Sequence, residues 1–252
     1  MTLKGKNAVV YGAGNIGGTA ARAFAREGAT VHVAARSEER LKPLAEEIRA
    51  DGGTIETAVV DALDEQAVNE HMDAVAMQAD SIDICLNVIQ HGDVQGTPMI
   101  DMNLDDYLAP VLNGVKTTFL TSTAAARHMR KSSGGVILLF GGEGPRTPIR
   151  EFSLGGLIAG FEALEAMRRQ MATEFAPDGI RVVSLQTSGI ADSIPKGMKG
   201  AAEIRKSIDD STLTGQAATF EDVGNALVFA ASDQAKSITG AAINITAGAM
   251  LD

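Results

Sequence analysis

The stretch VVYGAGNIGG, residues 9–18, decides the fold, because it joins an apolar run to glycines spaced G-x-G-x-x-G. This spacing permits a tight turn after a strand and lets the backbone approach a pyrophosphate, and the N–H groups at the start of the next helix can bind phosphate. A Gly-rich turn that serves only the fold is the alternative. The expected phosphate-binding residues are Gly12, Gly14, Asn15, Ile16 and Gly17.

Alternating apolar and helical segments indicate the architecture. Apolar, β-branched runs recur as NAVVYG, TVHVAA, IETAVVD, IDICLNV, VILLFGG, RVVSLQT and AAINITA. Helical patterns separate them, among them TAARAFAREG, with Gly28 placed to end the helix, and TTFLTSTAAARHMRKSSG. Because parallel neighbouring strands need crossover connections, the order predicts an α/β fold, a Rossmann-type doubly wound seven-stranded parallel sheet with helices on both faces.

Length and composition disfavour several functional classes. The 252 residues, without repeats or a linker, are expected to form one domain over 1–252, in which 190–216 is a lid or substrate loop. The net charge of -10 disfavours nucleic-acid or anionic-membrane partners. The single Cys85 permits no internal disulfide and is expected to be buried, while the scattered histidines lack metal-ligand spacing. With no signal-peptide pattern or apolar span, we expect a cytoplasmic location.

The end of the second strand bears on which dinucleotide is bound. A protein that binds NAD(H) offers an Asp or Glu to the ribose hydroxyls about 20 residues after the glycines. Here the strand ends Ala34, Ala35, Arg36, Ser37. Ala35 leaves no carboxylate to repel a 2′-phosphate, and Arg36 with Ser37 provides charge-assisted hydrogen bonds. The sequence therefore predicts NADP(H) rather than NAD(H), unless Arg36 is only a solvated residue beside two glutamates.

Four later segments match a known set of motifs. They are VVDALD (59–64), DICLNVIQ (83–90), GIRVVSLQTSGIADS (179–193) and EDVGNALVFAASDQAKSITGAAINITAGAML (221–251). Together with the Gly-rich turn, they resemble the short-chain dehydrogenase/reductase family over nearly the whole chain. The resemblance implies an acidic residue near the adenine, the asparagine of the family's Asn-Asn-Ala-Gly strand end, and a residue that contacts the nicotinamide carboxamide. The cofactor-binding residues that it adds are Asp61, Ala62, Asn87 and Ile190.

The same resemblance locates the family's catalytic side chains, which are Asn, Ser, Tyr and Lys. In that family Tyr protonates the substrate carbonyl, Ser steadies the oxygen, Lys lowers the pKa of Tyr, and Asn supports a water. The usual positions fall here on Gly114, Gly142, Leu157 and Phe161. None of these supplies a polar side chain, and neither tyrosine of the chain matches. The stretch LGGLIAGF (154–161) is therefore expected to pack against the sheet or a neighbouring subunit.

Two other residues are candidates for a relocated acid. Glu143 follows the glycines at the end of a predicted strand, and His91 follows the Asn87 strand, where ligand clefts of such sheets lie. A partly buried Glu or a neutral His can relay a proton. The alternatives are that Glu143 pairs with Arg146 or Arg150, and that His91 lies in an exposed loop.

Three functional hypotheses follow from these residues. The first is a divergent NADP(H)-dependent oxidoreductase that acts on an acceptor needing little acid assistance, such as an activated alkene or iminium. The second is a non-catalytic NADP(H)-binding sensor or silent subunit of a hetero-oligomer, and the third is an isomerase or lyase. The family resemblance also implies a homo-oligomer, a dimer or tetramer, formed through the helices at about 115–130 and 157–176 and the last strand.

Overall fold

The parallel sheet lies at the centre of the molecule. The computed structural model describes residues 1–132, 134–142, 153–195 and 197–251. In these ranges, seven parallel strands form one sheet in the order β3-β2-β1-β4-β5-β6-β7. The strands are β1 (Asn7–Tyr11), β2 (Thr30–Ala35), β3 (Thr54–Val59), β4 (Ile84–Asn87), β5 (Gly135–Gly142), β6 (Ile180–Thr187) and β7 (Ala242–Asn244).

Helices cover both faces of this sheet. In the same ranges they are α1 (Asn15–Arg26), α2 (Glu38–Ala50), α3 (Glu65–Ala79), α4 (Leu104–Met129), α5 (Gly156–Phe175), α6 (Ala201–Asp210) and α7 (Phe220–Ala231). One apolar core joins the sheet to α1, α2 and α7, and the other joins it to α3, α4 and α5. The predicted doubly wound Rossmann-type fold is therefore confirmed. None of the helices in the described ranges is long and apolar enough to span a membrane.

The strand order reverses between β1 and β4, and the loops that follow these strands meet there. Tyr11 lies beside Asn87 in the register of the two strands. The Val88 N–H donates to the Tyr11 carbonyl at 2.9 Å, and the Gly12 N–H donates to the Ala34 carbonyl at 2.8 Å. Ligands of open α/β sheets bind in the crevice outside the strand ends at such a switch point. The register therefore brings the loops after β1, β2 and β4 to one site.

Two helix boundaries test the predictions made from the sequence. Gly28, with φ +87°, lies just beyond the end of α1, as predicted. Helix α4 begins at Leu104, well before the pattern TTFLTSTAAARHMRKSSG, and continues through Pro110. Proline lacks a backbone N–H and usually ends a helical pattern. The early start is stabilised by Asn103, whose side chain accepts from the Asp106 N–H at 2.9 Å.

The segment 190–216 folds onto the carboxyl end of β6 and contains α6. The Arg205 guanidinium donates to the Ala191 carbonyl at 3.3 Å and also to the Ile194 carbonyl. A Cβ added at Gly189 would lie 3.1 Å from the Ile208 side chain, so α6 covers the end of the strand closely. The use of this segment as a lid stays a prediction.

Candidate functional site

The three glycines of the turn after β1 face different surroundings. A Cβ at Gly12, where φ is +115°, would lie 2.7 Å from the Val88 carbonyl oxygen, and one at Gly17 would lie 1.8 Å from the Gly12 carbonyl oxygen. The fold itself therefore requires glycine at both positions. Around a Cβ at Gly14, no atom of the described residues lies within 4 Å. The space beside Gly14 is thus open for a bound group, which is the feature that a dinucleotide cradle requires.

The amino terminus of α1 is electrostatically suited to a phosphate. Gly14 is its N-cap, no side chain caps the first turn, and that turn contains no acidic residue. The first N–H groups of a helix have no partners within it, and the helix dipole gives this end partial positive charge. The donors that a pyrophosphate needs are therefore free, and the residues present fit such a group.

A cleft of about 660 Å³ adjoins this turn. Six of the predicted cofactor-binding residues line it, namely Gly12, Gly14, Arg36, Ser37, Asp61 and Ala62. Five do not line it, namely Asn15, Ile16, Gly17, Asn87 and Ile190. Arg40, Gln90 and Asn113 also line it, although none of them was predicted to bind the cofactor. The cleft therefore runs from the end of β2, past the glycines, to the loop after β4 and the side of α4.

Positive charge is concentrated where β2 meets α2. Arg36 is exposed, Arg40 lies in the first turn of α2, and both residues line the cleft. Among the ion pairs of the described residues, none involves either arginine. Ser37 is the N-cap residue of α2, but its hydroxyl makes no capping hydrogen bond. Two acidic side chains, Glu39 and Asp61, line the same cleft, so its positive charge is confined to the two arginines.

Asn87 and Ile190 are buried and do not line the cleft. Asn87 is buried, and its amide nitrogen donates to the hydroxyl oxygens of Thr117 and Thr118, each at 3.1 Å. Its amide oxygen accepts from the Ile89 N–H at 3.1 Å, which fixes the loop after β4. Ile190 is buried in the core that α1, α2 and α7 share. Direct cofactor contact by these two residues stays a prediction.

Two rings cover two of the glycines that the family resemblance assigns to catalytic positions. A Cβ at Gly142 would lie 2.7 Å from Cε2 of Phe161, and one at Gly114 would lie 3.2 Å from Cε1 of His91. The two rings also contact one another, with centroids 5.8 Å apart and planes inclined by 59°. The two rings therefore fill the space beside Gly114 and Gly142, because both of these positions lack side chains.

His91 is held in this pair by its own backbone. Its carbonyl accepts from the Asn113 side-chain amide at 2.9 Å, which ties the loop after β4 to α4. Burial lowers the pKa of the His91 imidazole, and the nearby charge of Asp93 opposes this effect. His91 is partly buried although it lies in the loop after β4, and its role as a relocated acid stays a prediction. The other candidate acid, Glu143, and its possible partners Arg146 and Arg150 lie outside the described residues.

The stretch 154–161 packs closely against α4. A Cβ at Gly156 would lie 1.8 Å from the Tyr107 carbonyl oxygen, and one at Gly160 would lie 3.2 Å from the Pro110 carbonyl oxygen. Small residues let helix axes approach in this way. The expected contact with the sheet is present through Phe161, but the glycines themselves serve the contact between α4 and α5, which was not foreseen.

Tyr11 does not line the cleft, and its hydroxyl has a partner elsewhere. Its side chain is fully buried, and the hydroxyl hydrogen-bonds Nδ1 of His71 at 2.8 Å. Burial raises the pKa of Tyr11 and lowers that of His71 to about 4, so both groups are neutral near pH 7. The buried Cys85, predicted as such, has its pKa raised by burial to about 12.

The sheet order, the open glycine turn and the adjoining cleft are those of Rossmann-type proteins that bind dinucleotides. A family model described as enoyl-(acyl carrier protein) reductase matches residues 12–250. The chain belongs to the short-chain dehydrogenase/reductase family, whose members are oxidoreductases that bind NAD(P).

Relatives match along nearly their full length. A 7alpha-hydroxysteroid dehydrogenase of Clostridium sardiniense is 27% identical over 252 residues, covering 98% of this chain and 94% of that protein. An L-rhamnose 1-dehydrogenase (NAD(P)(+)) of Azotobacter vinelandii is 29% identical, covering 98% of each chain. The solved structure of a short-chain dehydrogenase/reductase from Serratia marcescens has a TM-score of 0.86 and 24% identity, covering 98% of this chain and 99% of that one, and supports the fold alone.

Proposed function

We propose that this protein is an NADP(H)-dependent oxidoreductase that acts on a small acceptor without the family's Tyr-Lys acid. The observation that supports the proposal is the 660 Å³ cleft in which the open glycine turn meets the positive corner formed by Arg36, Ser37 and Arg40. When bound, the reduced nicotinamide supplies a hydride. The protein's own task is to hold the cofactor and orient the acceptor.

The positive corner is proposed to bind the 2′-phosphate of NADP(H). Arg36 and Arg40 provide planar guanidinium donors suited to a phosphate. The Ser37 hydroxyl, which makes no capping hydrogen bond, provides one more donor. Ala35, at the end of β2, is only 8% exposed and presents a methyl group where a carboxylate would repel this phosphate.

Substitutions at three positions test whether the positive corner binds the 2′-phosphate. Arg36→Ala and Arg40→Ala should each weaken NADPH binding about tenfold and leave NADH binding unchanged, since each removes one charge-assisted bond. Ala35→Asp should shift the preference toward NADH. Arg26→Ala, at an exposed arginine of α1 that does not line the cleft, is the matched control. Calorimetric titration of all four variants measures the affinities, and an unchanged preference in Ala35→Asp contradicts the assignment.

The acceptor is proposed to be one whose reduction needs little proton donation. At the positions that the family resemblance assigns to the serine, tyrosine and lysine, Gly142, Leu157 and Phe161 provide neither a phenol nor an amine. Activated alkenes, imines and quinones suit such a site, whereas simple ketones do not. The test is oxidation of NADPH with cyclohex-2-enone, an imine and a quinone beside cyclohexanone. Turnover of cyclohexanone alone contradicts the proposal, and tight NADPH binding without any turnover indicates the non-catalytic sensor or silent subunit instead.

A homo-oligomer is proposed from the surface of α4. Leu112 and Phe119 lie two helical turns apart and are 60% and 53% exposed. Exposed large apolar side chains on one helix face are typical of association surfaces, and the family resemblance places the subunit contact on α4 and α5. Sedimentation should show a dimer or tetramer, with Phe119→Glu shifting it toward monomer. A wild-type monomer at micromolar concentration contradicts this.

A further inference from the structure

The loop after β4 begins against the glycine turn and then runs along the cleft. A Cβ at Gly12 would lie 2.7 Å from the Val88 carbonyl oxygen, and one at Gly17 would lie 3.1 Å from the Val88 Cγ2 atom. Two residues further on, Gln90 is exposed and lines the cleft. Its amide is therefore the first hydrogen-bonding side chain that this loop presents beyond the turn.

The backbone on both sides of Gln90 is held in place. The Ile89 N–H donates to the Asn87 side-chain oxygen at 3.1 Å, and the His91 carbonyl accepts from the Asn113 side-chain amide at 2.9 Å. Among the hydrogen bonds of the described residues, none involves the Gln90 side chain itself. A fixed backbone suits a ligand contact, because less conformational freedom is lost when the ligand binds.

The two ends of the cleft differ in charge. The charged side chains that line it are Glu39, Asp61 and the two arginines of the positive corner, whereas the loop after β4 and the side of α4 contribute only uncharged groups. The end beside Gln90 therefore offers no counter-charge to a phosphate or a carboxylate. It suits a neutral part of the ligand that forms hydrogen bonds.

A dinucleotide that follows this cleft presents its groups in a fixed order. With the 2′-phosphate at the positive corner and the pyrophosphate at Gly14, the next group of the cofactor is the ribose of the nicotinamide half. This ribose carries two neighbouring hydroxyls, each of which can donate and accept. A glutamine amide has N–H donors and a carbonyl acceptor side by side, so it can bind both hydroxyls at once.

We propose that the side-chain amide of Gln90 binds the two hydroxyls of the nicotinamide ribose, donating to one and accepting from the other. The inference deepens the proposed function and rests on it. By resemblance, position 90 is the glycine that ends the family's Asn-Asn-Ala-Gly, so this side chain is a feature of this chain. A fixed ribose also restricts the nicotinamide ring attached to it, which orients the ring for hydride transfer.

Three ligands that differ only beyond the pyrophosphate test the inference. NADP⁺ carries the ribose and the nicotinamide, 2′-phospho-ADP-ribose carries the ribose alone, and 2′-phospho-ADP carries neither. Calorimetric titration measures the affinity for each ligand without turnover. Because the terminal phosphate of 2′-phospho-ADP bears additional charge, each variant is compared with the wild type on the same ligand.

The variant Gln90→Leu keeps about the size of the side chain and removes its amide. It should weaken the binding of NADP⁺ and of 2′-phospho-ADP-ribose by the same factor, about five- to tenfold, and leave the binding of 2′-phospho-ADP unchanged. Gln90→Ala, which introduces no new apolar bulk, should give the same pattern. Gln78→Leu, at an exposed glutamine of α3 that does not line the cleft, is the matched control and should change none of the three affinities.

Three results overturn the inference and leave the proposed function intact. They are no loss for any ligand, an equal loss for all three, and a loss confined to NADP⁺, which would assign Gln90 to the nicotinamide carboxamide instead. Failure of the wild type to bind any of the three ligands overturns the proposed function, and the inference with it. Since both glutamines are exposed, thermal melting should show that all three variants are folded as the wild type is.

Discussion

The ring of Phe161 lies over Gly142, so closely that a Cβ at position 142 would come within 2.7 Å of its Cε2 atom. The two residues belong to α5 and to the carboxyl end of β5. Glycine at 142 is thus a condition for phenylalanine at 161. Restoration of a serine at 142, where the resemblance places the family's serine, requires a change at 161 as well.

A double-mutant cycle tests this dependence. Gly142→Ser should lower the free energy of unfolding by about 1–3 kcal/mol, because overpacking forces the ring to move. In a Phe161→Ala background the same change should cost at least about 1 kcal/mol less. Gly141→Ser is the matched control, since its Cβ would meet Phe161 only at 3.8 Å. Urea unfolding measures all the variants, and additive effects contradict the packing relationship.

The glycines of the turn should separate binding from folding. Gly14→Ala should lower the free energy of unfolding by no more than about 1 kcal/mol, the cost of alanine at an N-cap, but weaken dinucleotide binding at least tenfold, because the methyl group enters the open space beside the turn. Gly17→Ala should destabilise the fold instead, since its Cβ would meet the Gly12 carbonyl oxygen at 1.8 Å.

Gly197→Ala is the control for the Gly14 variant, because a Cβ there also meets no atom of the described residues within 4 Å. It should affect neither stability nor dinucleotide binding. Thermal melting and calorimetry of the three variants give the answer. Normal dinucleotide affinity in Gly14→Ala would remove the glycine turn from the binding site.

Stability should fall as the pH falls below the ordinary pKa of histidine. Burial lowers the pKa of His71 from 6.5 to about 4 and also lowers that of His32, so the folded protein keeps both neutral while the unfolded chain takes up protons. The contribution is fully present above pH 6.5 and is lost as the pH falls toward 4, by about 3 kcal/mol at most for His71.

Urea unfolding at several pH values between 7.5 and 4.5 measures this loss. The variant His71→Gln removes one titrating group and should flatten the dependence, although it also alters the hydrogen bond to Tyr11. The slope with pH, rather than the stability at one pH, is therefore the quantity to compare. Equal slopes in both proteins would show that His71 titrates normally in the folded state.

Cys85 should resist thiol reagents while the protein is folded. The thiol is buried within β4, its Sγ lies 3.8 Å from the Thr121 carbonyl oxygen, and burial raises its pKa to about 12. Only the thiolate reacts readily, so alkylation requires opening of the sheet. Iodoacetamide followed by mass spectrometry should find the native protein unmodified and the urea-unfolded protein fully labelled. Rapid native labelling contradicts the burial of this strand.

The sheet and the phosphate side of the site could be predicted because their signals are local in sequence. The β-branched runs, the spacing of Gly12, Gly14 and Gly17, and the pair Arg36-Ser37 each lie within a few residues. Arg40 was missed, although it follows Arg36 by four residues and stands in the first turn of a predicted helix. The first turn of a helix that starts at the strand end faces the same cleft as the strand end, and this could have suggested a second arginine.

The arrangement beyond β4 and β5 could not be predicted in this way. The placement of His91 over Gly114 depends on residues 23 positions apart, and that of Phe161 over Gly142 on residues 19 positions apart. A glycine in a sequence gives no indication of which side chain will fill the space beside it. The early start of α4 was missed for a related reason, because Pro110 interrupts the helical pattern while the cap at Asn103 and contacts with α5 stabilise the helix.

Calorimetric titration of the wild-type protein with NADPH and, separately, with NADH tests the central claim most directly. The account predicts clear NADPH binding with NADH much weaker, because the 2′-phosphate adds charge-assisted bonds to Arg36, Ser37 and Arg40. Equal affinities would contradict the role of the positive corner. Binding of neither dinucleotide would contradict the proposed function as a whole.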